Sequence, residues 1–438
     1  MLARSLLALG TPALALSAAA QTYTVTELVP MPGAAAGSGG LGIDEHGWVS
    51  GKARPDGFYD HAVIWAGNVR LELTGSGVSG AGALAISNGT AVGLSDTLDL
   101  NAFAWEEGVL TPLETAHFCC SAGHDINRRG WVVGQADFGS LSIRHAALWQ
   151  DGQLVDLGTL GGGSSNAHGV NDAGQVVGSA STADRTGHAF LWQAGVMVDL
   201  GTLGGSYSEA RDVNESGHVV GWAYEDQNLT KAFLHDGSSM HNLGTLPGGM
   251  FSYAHAINDT GQVVGGSYAG STSGLRGTLW ENGAPVDLNS LIPPNTGWVL
   301  GEARDINEQG EIVGVGMLGS QVRGYKLTPA GLQRLILAPP VPGIAGLPSD
   351  ITATWPVPGE PVEIWMSATP FTPRAGAWGL GGPVPDRPVL LGTATTGPDG
   401  SATLSVTLPA PLVGERIHLR AVQPAAGKVS GSVRHILR

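Results

Sequence analysis

The chain is poor in charge, in cysteine and in sustained helical periodicity. Only 13% of its 438 residues are Asp, Glu, Lys or Arg, and 22 basic residues face 37 acidic ones, a formal net charge of −15. No run of Lys or Arg offsets that balance, so the chain repels phosphate backbones and nucleic acid is a poor partner. Beyond the first twenty residues no segment approaches the roughly 18 uninterrupted apolar residues of a membrane span. The longest candidate, residues 335–347, is broken by Pro339, Pro340 and Pro342. Disorder is disfavoured too, because 42% of the residues are apolar.

Cysteine is limited to the neighbours Cys119 and Cys120, in the stretch HFCCSAGHD at 117–125. Adjacent Cα atoms sit about 3.8 Å apart, short of the usual disulfide range of roughly 4.4–6.8 Å, so a vicinal bridge needs a distorted peptide. Intermolecular pairing is the alternative. His117 and His124 lie near enough in sequence to raise a metal site, although the ligand spacing argues against one.

What is present begins with an export signal. Arg4 supplies a positive start, Ser5–Leu16 is apolar but too short to span a bilayer, and Ala18-Ala19-Ala20 fits small-residue cleavage. Residues 1–20 therefore read as a signal peptide, the mature chain starts near Gln21, and the expected location is extracellular or at the cell surface.

Glycine is abundant, at 68 residues, and it marks a repeat. One phrase, an apolar residue, Asn or Asp, two spacers, Gly and a Val-rich triplet ending in Gly, recurs as GIDEHGWVSG (42–51), DINRRGWVVG (125–134), GVNDAGQVVG (169–178), DVNESGHVVG (212–221), AINDTGQVVG (256–265) and DINEQGEIVG (305–314). AISNGTAVG (85–93) is a shortened copy. The closing glycines, Gly51, Gly93, Gly134, Gly178, Gly221, Gly265 and Gly314, are 42, 41, 44, 43, 44 and 49 residues apart. A second phrase follows each copy, as in HAVIW (61–65), HAALW (145–149) and HAFLW (188–192), and a third reads QLVDLGTLGG (153–162) or VMVDLGTLGG (196–205).

Each unit predicts four short strands, with Asn-x-x-Gly as the hairpin between the first two. Seven such units predict an all-β fold: a seven-bladed β-propeller over residues 21–337. Tyr23–Leu28 resembles a fourth strand without the other three, and could close the ring beside or instead of residues 331–337. A Pro-rich linker (338–348) leads to alternating segments over 349–438 that predict a small immunoglobulin-like β-sandwich, an accessory unit.

The succession GTLGG, S-x-A, IN, G-x-VVG, HAFLW, DLGTLGG resembles the HAF repeat family of extracellular bacterial proteins. The likeness covers roughly residues 22–335 and is sharpest in the third to sixth units. It implies an extracellular location and a repeat architecture, and it implies no reaction.

Recurrent residues point to scaffold. His61, His145 and His188 share one repeat position, which ring symmetry places in different blades rather than at one metal centre; a bond to the adjacent turn accounts for them. Trp65, Trp105, Trp149, Trp192 and Trp280 predict inter-blade packing, and Asp156, Asp199 and Asp287, which recur in the VDL phrase, read as scaffold too. The Asn-Asp-x-Gly turns at Asn171 and Asn258 resemble calcium loops but lack the further acidic ligands, so no cofactor is expected.

Function is expected where the symmetry breaks, in the variable loops of one propeller face. Tyr59, Tyr207, Tyr224, Phe251 and Tyr253 are the ligand-binding candidates there, able to stack on sugars or proteins. No catalytic residue stands out. The preferred reading is a non-enzymatic binding or structural protein engaging an extracellular polysaccharide or protein. The alternative is a lyase or glycosidase with its site at the central channel, for which a Tyr/His/Arg group or paired carboxylates in one funnel would be the sign.

Overall fold

The computed structural model describes residues 22–30, 37–54, 60–73, 81–95, 101–106, 108–115, 120–139, 144–225, 229–270, 274–281, 283–332, 336–337, 348–354, 359–367, 389–399, 401–407, 416–424, 428–429 and 433–436. Residues 1–20, expected as a signal peptide, residues 338–347 of the expected linker, Tyr59 and Cys119 lie outside them.

The described chain is all-β and antiparallel, organised as successive four-stranded units consistent with a β-propeller. We number them I (38–72), II (81–112), III (122–156), IV (161–199), V (204–242), VI (252–287) and VII (298–329). Sheets IV and V are joined by a single parallel bridge between Gly187 and Tyr207. Sheet VII takes three strands from its own repeat, and its fourth is Tyr23–Leu28, paired from Tyr23–Pro329 to Leu28–Gly324. The N-terminal strand thus closes the last sheet and removes an exposed edge. The other candidate for closure goes elsewhere: Ile336–Leu337 pairs with Thr354 and Ala353, so the segment expected to end the propeller at residue 337 gives its last strand to the C-terminal region.

The repeat phrases explain the joints. In sheet IV, Asn171 Oδ1 accepts the Gln175 N–H at 2.9 Å, and Gly174 sits at φ 80° to complete the hairpin. The Asn171 amide then donates to the Asn214 carbonyl of sheet V at 3.0 Å. Asn127, Asn214 and Asn258 repeat this toward the next sheet, and Asn307 of sheet VII donates to the Asp44 carbonyl of sheet I at 3.0 Å. Asp44 Oδ2 accepts the Gly89 N–H of sheet II, and Asn88 reaches Arg128 of sheet III. The chain of bonds returns to its start, so the seven sheets form a ring.

A second joint lies further out. The N–H groups of Ala102, Ala146, Ala189 and Ala232, each the Ala of a HAF-type phrase, donate to the buried hydroxyls of Ser121, Ser165, Ser208 and Ser252 on the following sheet. Between the sheets lie Val133, Phe103, Phe190 and Phe233, all fully buried.

Two further sheets follow. Pro348–Thr354 pairs with Ser401–Thr407, and Pro361–Ser367 lies between Val389–Thr395 and Arg416–Gln423. Ile351, Val362, Ile364 and Leu419 belong to the same apolar cluster as Ile64 and Phe103 of sheets I and II. Asn68 bonds both Thr354 and the Asp399 carbonyl. The C-terminal unit is therefore packed onto the ring rather than tethered to it.

Candidate functional site

The closing glycine of each repeat sets the geometry of the ring's centre. A Cβ on Gly178 would lie 1.9 Å from the Asn166 carbonyl oxygen, and the other six closing glycines give 1.9–2.1 Å to the matching carbonyl on their innermost strand. Only hydrogen fits there. At that point every innermost strand carries a β-bulge, with register shifts spanning residues 40–42, 83–85, 123–125, 167–169, 210–212, 254–256 and 303–305. A bulge leaves one residue unpaired and re-aims its side chain. The seven bulged residues are Leu41, Leu84, His124, His168, Arg211, His255 and Arg304, all partly buried.

These side chains meet. The His124 and His168 rings stack with centroids 5.3 Å apart. His168 Nε2 lies 3.4 Å from Glu209 Oε1, Arg211 Nε lies 3.1 Å from the same oxygen, and the Tyr207 hydroxyl donates to Glu209 Oε2 at 3.0 Å. Arg211 Nη1 is 3.4 Å from His168 Nδ1. Next to them, Glu302 holds His255 at 2.5 Å and Arg304 at 2.6 Å.

Burial, then the Arg211 and His124 charges, push His168 well below the ordinary imidazole range; burial and Arg211 lower His124, although its bond to the Ala167 carbonyl opposes this. Burial also dominates at His255, which falls despite Glu302. Burial pushes Glu302 up, but the His255 bond and the positive neighbours outweigh it and leave it below its usual value. Burial and the Glu209 charge push the Tyr207 phenol up to about 12. These shifts favour the neutral imidazole at His124, His168 and His255, the carboxylate at Glu302 and the protonated phenol at Tyr207.

A second layer is carboxylate. Asp125, Asp212 and Asp305 follow the bulge in sheets III, V and VII. One oxygen of each accepts the next N–H of its own strand, and the other bridges to Val170, Ile257 or Ile43 of the following sheet at 2.7–2.8 Å. The following sheet carries Gly169, Ala256 or Gly42 at the matching position. Burial raises Asp125 to about 6; burial and the Asp125 charge raise Asp212 to about 7; and burial with the Asp212 charge lifts Asp305 well above the usual range.

The binding candidates divide into two groups. Tyr207 stacks on Trp222 at 5.1 Å, Tyr224 lies 5.8 Å from Tyr207 and 5.9 Å from Trp222, and Tyr253 meets Trp222 edge-on at 6.0 Å. Phe251 is in a separate pair with Tyr268. Tyr207 and Tyr224 line a cleft of about 790 Å³ with Ser164, Ser181, Asn166 and Arg144. A Cβ on Gly187 would lie 2.5 Å from the Tyr207 ring, so this glycine makes room for it. Cys120 is disulfide-bonded and has φ 78°, the left-handed region.

The HAF histidines pair with carboxylates and are not themselves among the residues lining the cleft. His145 Nδ1 lies 2.9 Å from Asp156, His188 Nδ1 lies 2.9 Å from Asp199, and His61 Nδ1 lies 2.5 Å from Glu72, while Asp156 and Asp199 also cap the glycine turns that follow. Asp172, of the Asn-Asp turn, accepts the Arg128 N–H and pairs with its guanidinium, and Asp259 accepts the Glu215 N–H.

Sequence reasoning missed Trp222 as a candidate and the bulge set as a group. The signal was present. Directly after a Gly or Ala and two positions before a Val or Ile, one position reads Leu, Leu, His, His, Arg, His, Arg around the ring.

The fold and site define an all-β, propeller-type chain with an acid–base cluster in its funnel. No protein-family model matches the chain, and no curated protein does. Among solved structures it is similar to a fungal alcohol oxidase of the AA5 family in complex with copper, at 14% identity and TM-score 0.40 over 95% of this chain and all of that one. It is also similar to TolB from Acinetobacter baumannii, at 12% identity and TM-score 0.39 over 66% of this chain and 64% of that one. A puromycin-hydrolyzing peptidase from Mycobacterium tuberculosis gives 14% identity and TM-score 0.40 over 70% of this chain and 49% of that one. None of the three carries its chemistry over to this chain.

Proposed function

We propose that the chain is an exported seven-bladed propeller of the HAF repeat type with an immunoglobulin-like accessory sandwich, and that it binds an extracellular polysaccharide in the cleft between sheets III, IV and V. The observation that supports this best is that Tyr207 and Tyr224, part of one ring cluster with Trp222 and Tyr253, line the cleft together with a row of serine hydroxyls. Pyranose rings present an apolar face for stacking and a rim of hydroxyls for hydrogen bonds, which is what the two surfaces offer.

The test is retention of the purified protein on immobilised polysaccharides, compared with Tyr224→Ala. Retention of the parent with about a tenfold loss in the variant is expected, the size of a stacking contact worth roughly 1.4 kcal/mol. Capture of a protein partner with no glycan retained would overturn the reading.

A second reading, cleavage of the bound glycan, is favoured by the Tyr207–Glu209–Arg211–His168 group, of which Tyr207 lines the cleft. A neutral imidazole can take a proton and the phenol beside it can give one, the pair of roles an elimination needs. New oligosaccharide masses in the same incubation, absent in His168→Gln, would establish it.

A further inference from the structure

We infer that the cleft selects an anionic glycan, one bearing carboxylates or sulfates; this rests on the glycan reading and adds the charge of the ligand. The chain as a whole is strongly acidic, at −15. Yet the cleft is lined by two arginines, Arg144 and Arg185, and by no Asp or Glu. Asp184, in the same turn as Arg185, is not part of the lining.

Most other cations of the ring are committed. Lys52 and Arg54 pair with Asp60, Arg128 with Asp172, Arg211 with Glu209, Arg304 with Glu302, Arg323 with Glu27 and Lys326 with Glu311. Arg144 and Arg185 are exposed and, among the described residues, neither lies within ion-pair distance of a carboxylate. Arg185 is also held at φ 67°, in the left-handed region, at the turn between Thr182 and Thr186. A bulky side chain in that conformation costs stability and is uncommon outside such turns.

The guanidinium fork matches planar carboxylate and tetrahedral sulfate geometry, which a neutral sugar does not supply. Two such forks over a floor of Tyr207 and Tyr224, with Ser164 and Ser181 hydrogen-bonded to each other at 2.9 Å on the wall, can read a sugar ring and its acidic group together. On an acidic protein this local reversal of sign also steers a polyanion to the cleft and away from the remaining surface.

The test uses the purified protein with polygalacturonate, dextran sulfate and neutral dextran, measured at low and at raised salt. At least tenfold tighter binding to one of the polyanions than to dextran is expected, weakening with salt. The double variant Arg144→Gln/Arg185→Gln should lose about tenfold on the polyanion and little on dextran. Its folding is checked by an unchanged thermal midpoint, and Arg185→Lys should recover part of the loss. Equal binding to all three, or a double variant that binds the polyanion as the parent does, overturns the charge assignment while leaving the glycan reading in place. Binding to none of the three, together with retention of other, uncharged polysaccharides, overturns the charge assignment alone. Failure on every glycan overturns both.

Discussion

Sheets I and II and sheets III to VII obey the same backbone rule and differ in what they aim into the channel. In both parts a closing glycine admits a carbonyl at about 2 Å from where a Cβ would stand, and a bulge turns one side chain inward. In sheets I and II that side chain is Leu41 or Leu84; in the others it is histidine or arginine. Architecture and chemistry are thus written at different positions of one repeat. The glycine is constant because the backbone leaves no space, and the bulged residue is free to vary because it has no partner in the ladder.

The sharpest way to break this comparison is to alter the glycine in each part. Gly93→Ala in sheet II and Gly178→Ala in sheet IV each place a methyl 1.9 Å from a carbonyl oxygen. Both should lower stability by about 3 kcal/mol or more, beyond the usual overpacking range because backbone cannot move aside. Gly163→Ala, with open space around it, should leave the urea midpoint unchanged. A cost in one part only would show that the bulge rule is not shared.

A second test uses the carboxylate that directly follows the bulge, present in sheets III, V and VII and replaced by Gly or Ala in the other four. Asp125, Asp212 and Asp305 titrate higher in the folded chain than unfolded, so the folded state holds more protons and stability falls as pH rises through the folded values. His124, His168 and His255, lowered on folding, oppose this only below about 6.5, where unfolded imidazoles begin to charge. From pH 6.5 to 8.5 the denaturant midpoint should therefore drop, by about 1–2 kcal/mol in free energy. Asp212→Asn should start lower, because its amide meets the Ile257 N–H, and should flatten the slope. A pH-independent midpoint in the parent would remove the buried carboxylates as a source of tension.

Binding gives an effect of similar size with a different readout. Trp222→Ala should cost roughly 1–2 kcal/mol in glycan affinity, with Leu84→Ala, in the apolar part of the channel, leaving affinity unaltered. The smallest change is expected at the HAF histidines. His145→Ala removes a part-exposed pair with Asp156 and should cost at most about 1 kcal/mol of stability, with glycan retention unchanged. A loss of binding there would move the site to the outer strands.

Much of the molecule was legible from the repeat alone. Asn171 as a hairpin residue, His145 and His188 as scaffold, and the strands of the C-terminal region could be read from turn chemistry and period-two alternation, which act over a few residues. Tyr207, Tyr224 and Tyr253 were legible as aromatics but not as to place: they were expected in variable loops and stand instead on the strands Gly204–Val213, Val219–Glu225 and Ser252–Ile257, while Phe251 falls outside the cluster. The inward set was not legible for a definite reason. Alternation assigns faces by parity, and a bulge inserts one residue and reverses that parity, so His168 and Arg211 could not be placed by counting.

The sequence by itself determined the number of units, their strand and turn chemistry and the positions that must be glycine, because hairpins and close backbone approach are local. Tertiary structure decided which strand closes sheet VII, that residues 336–337 leave the ring, and which polar groups share the funnel. Those outcomes depend on where distant segments meet: Tyr23 pairs with a residue more than three hundred positions away, and Glu209 gathers its partners across two sheets.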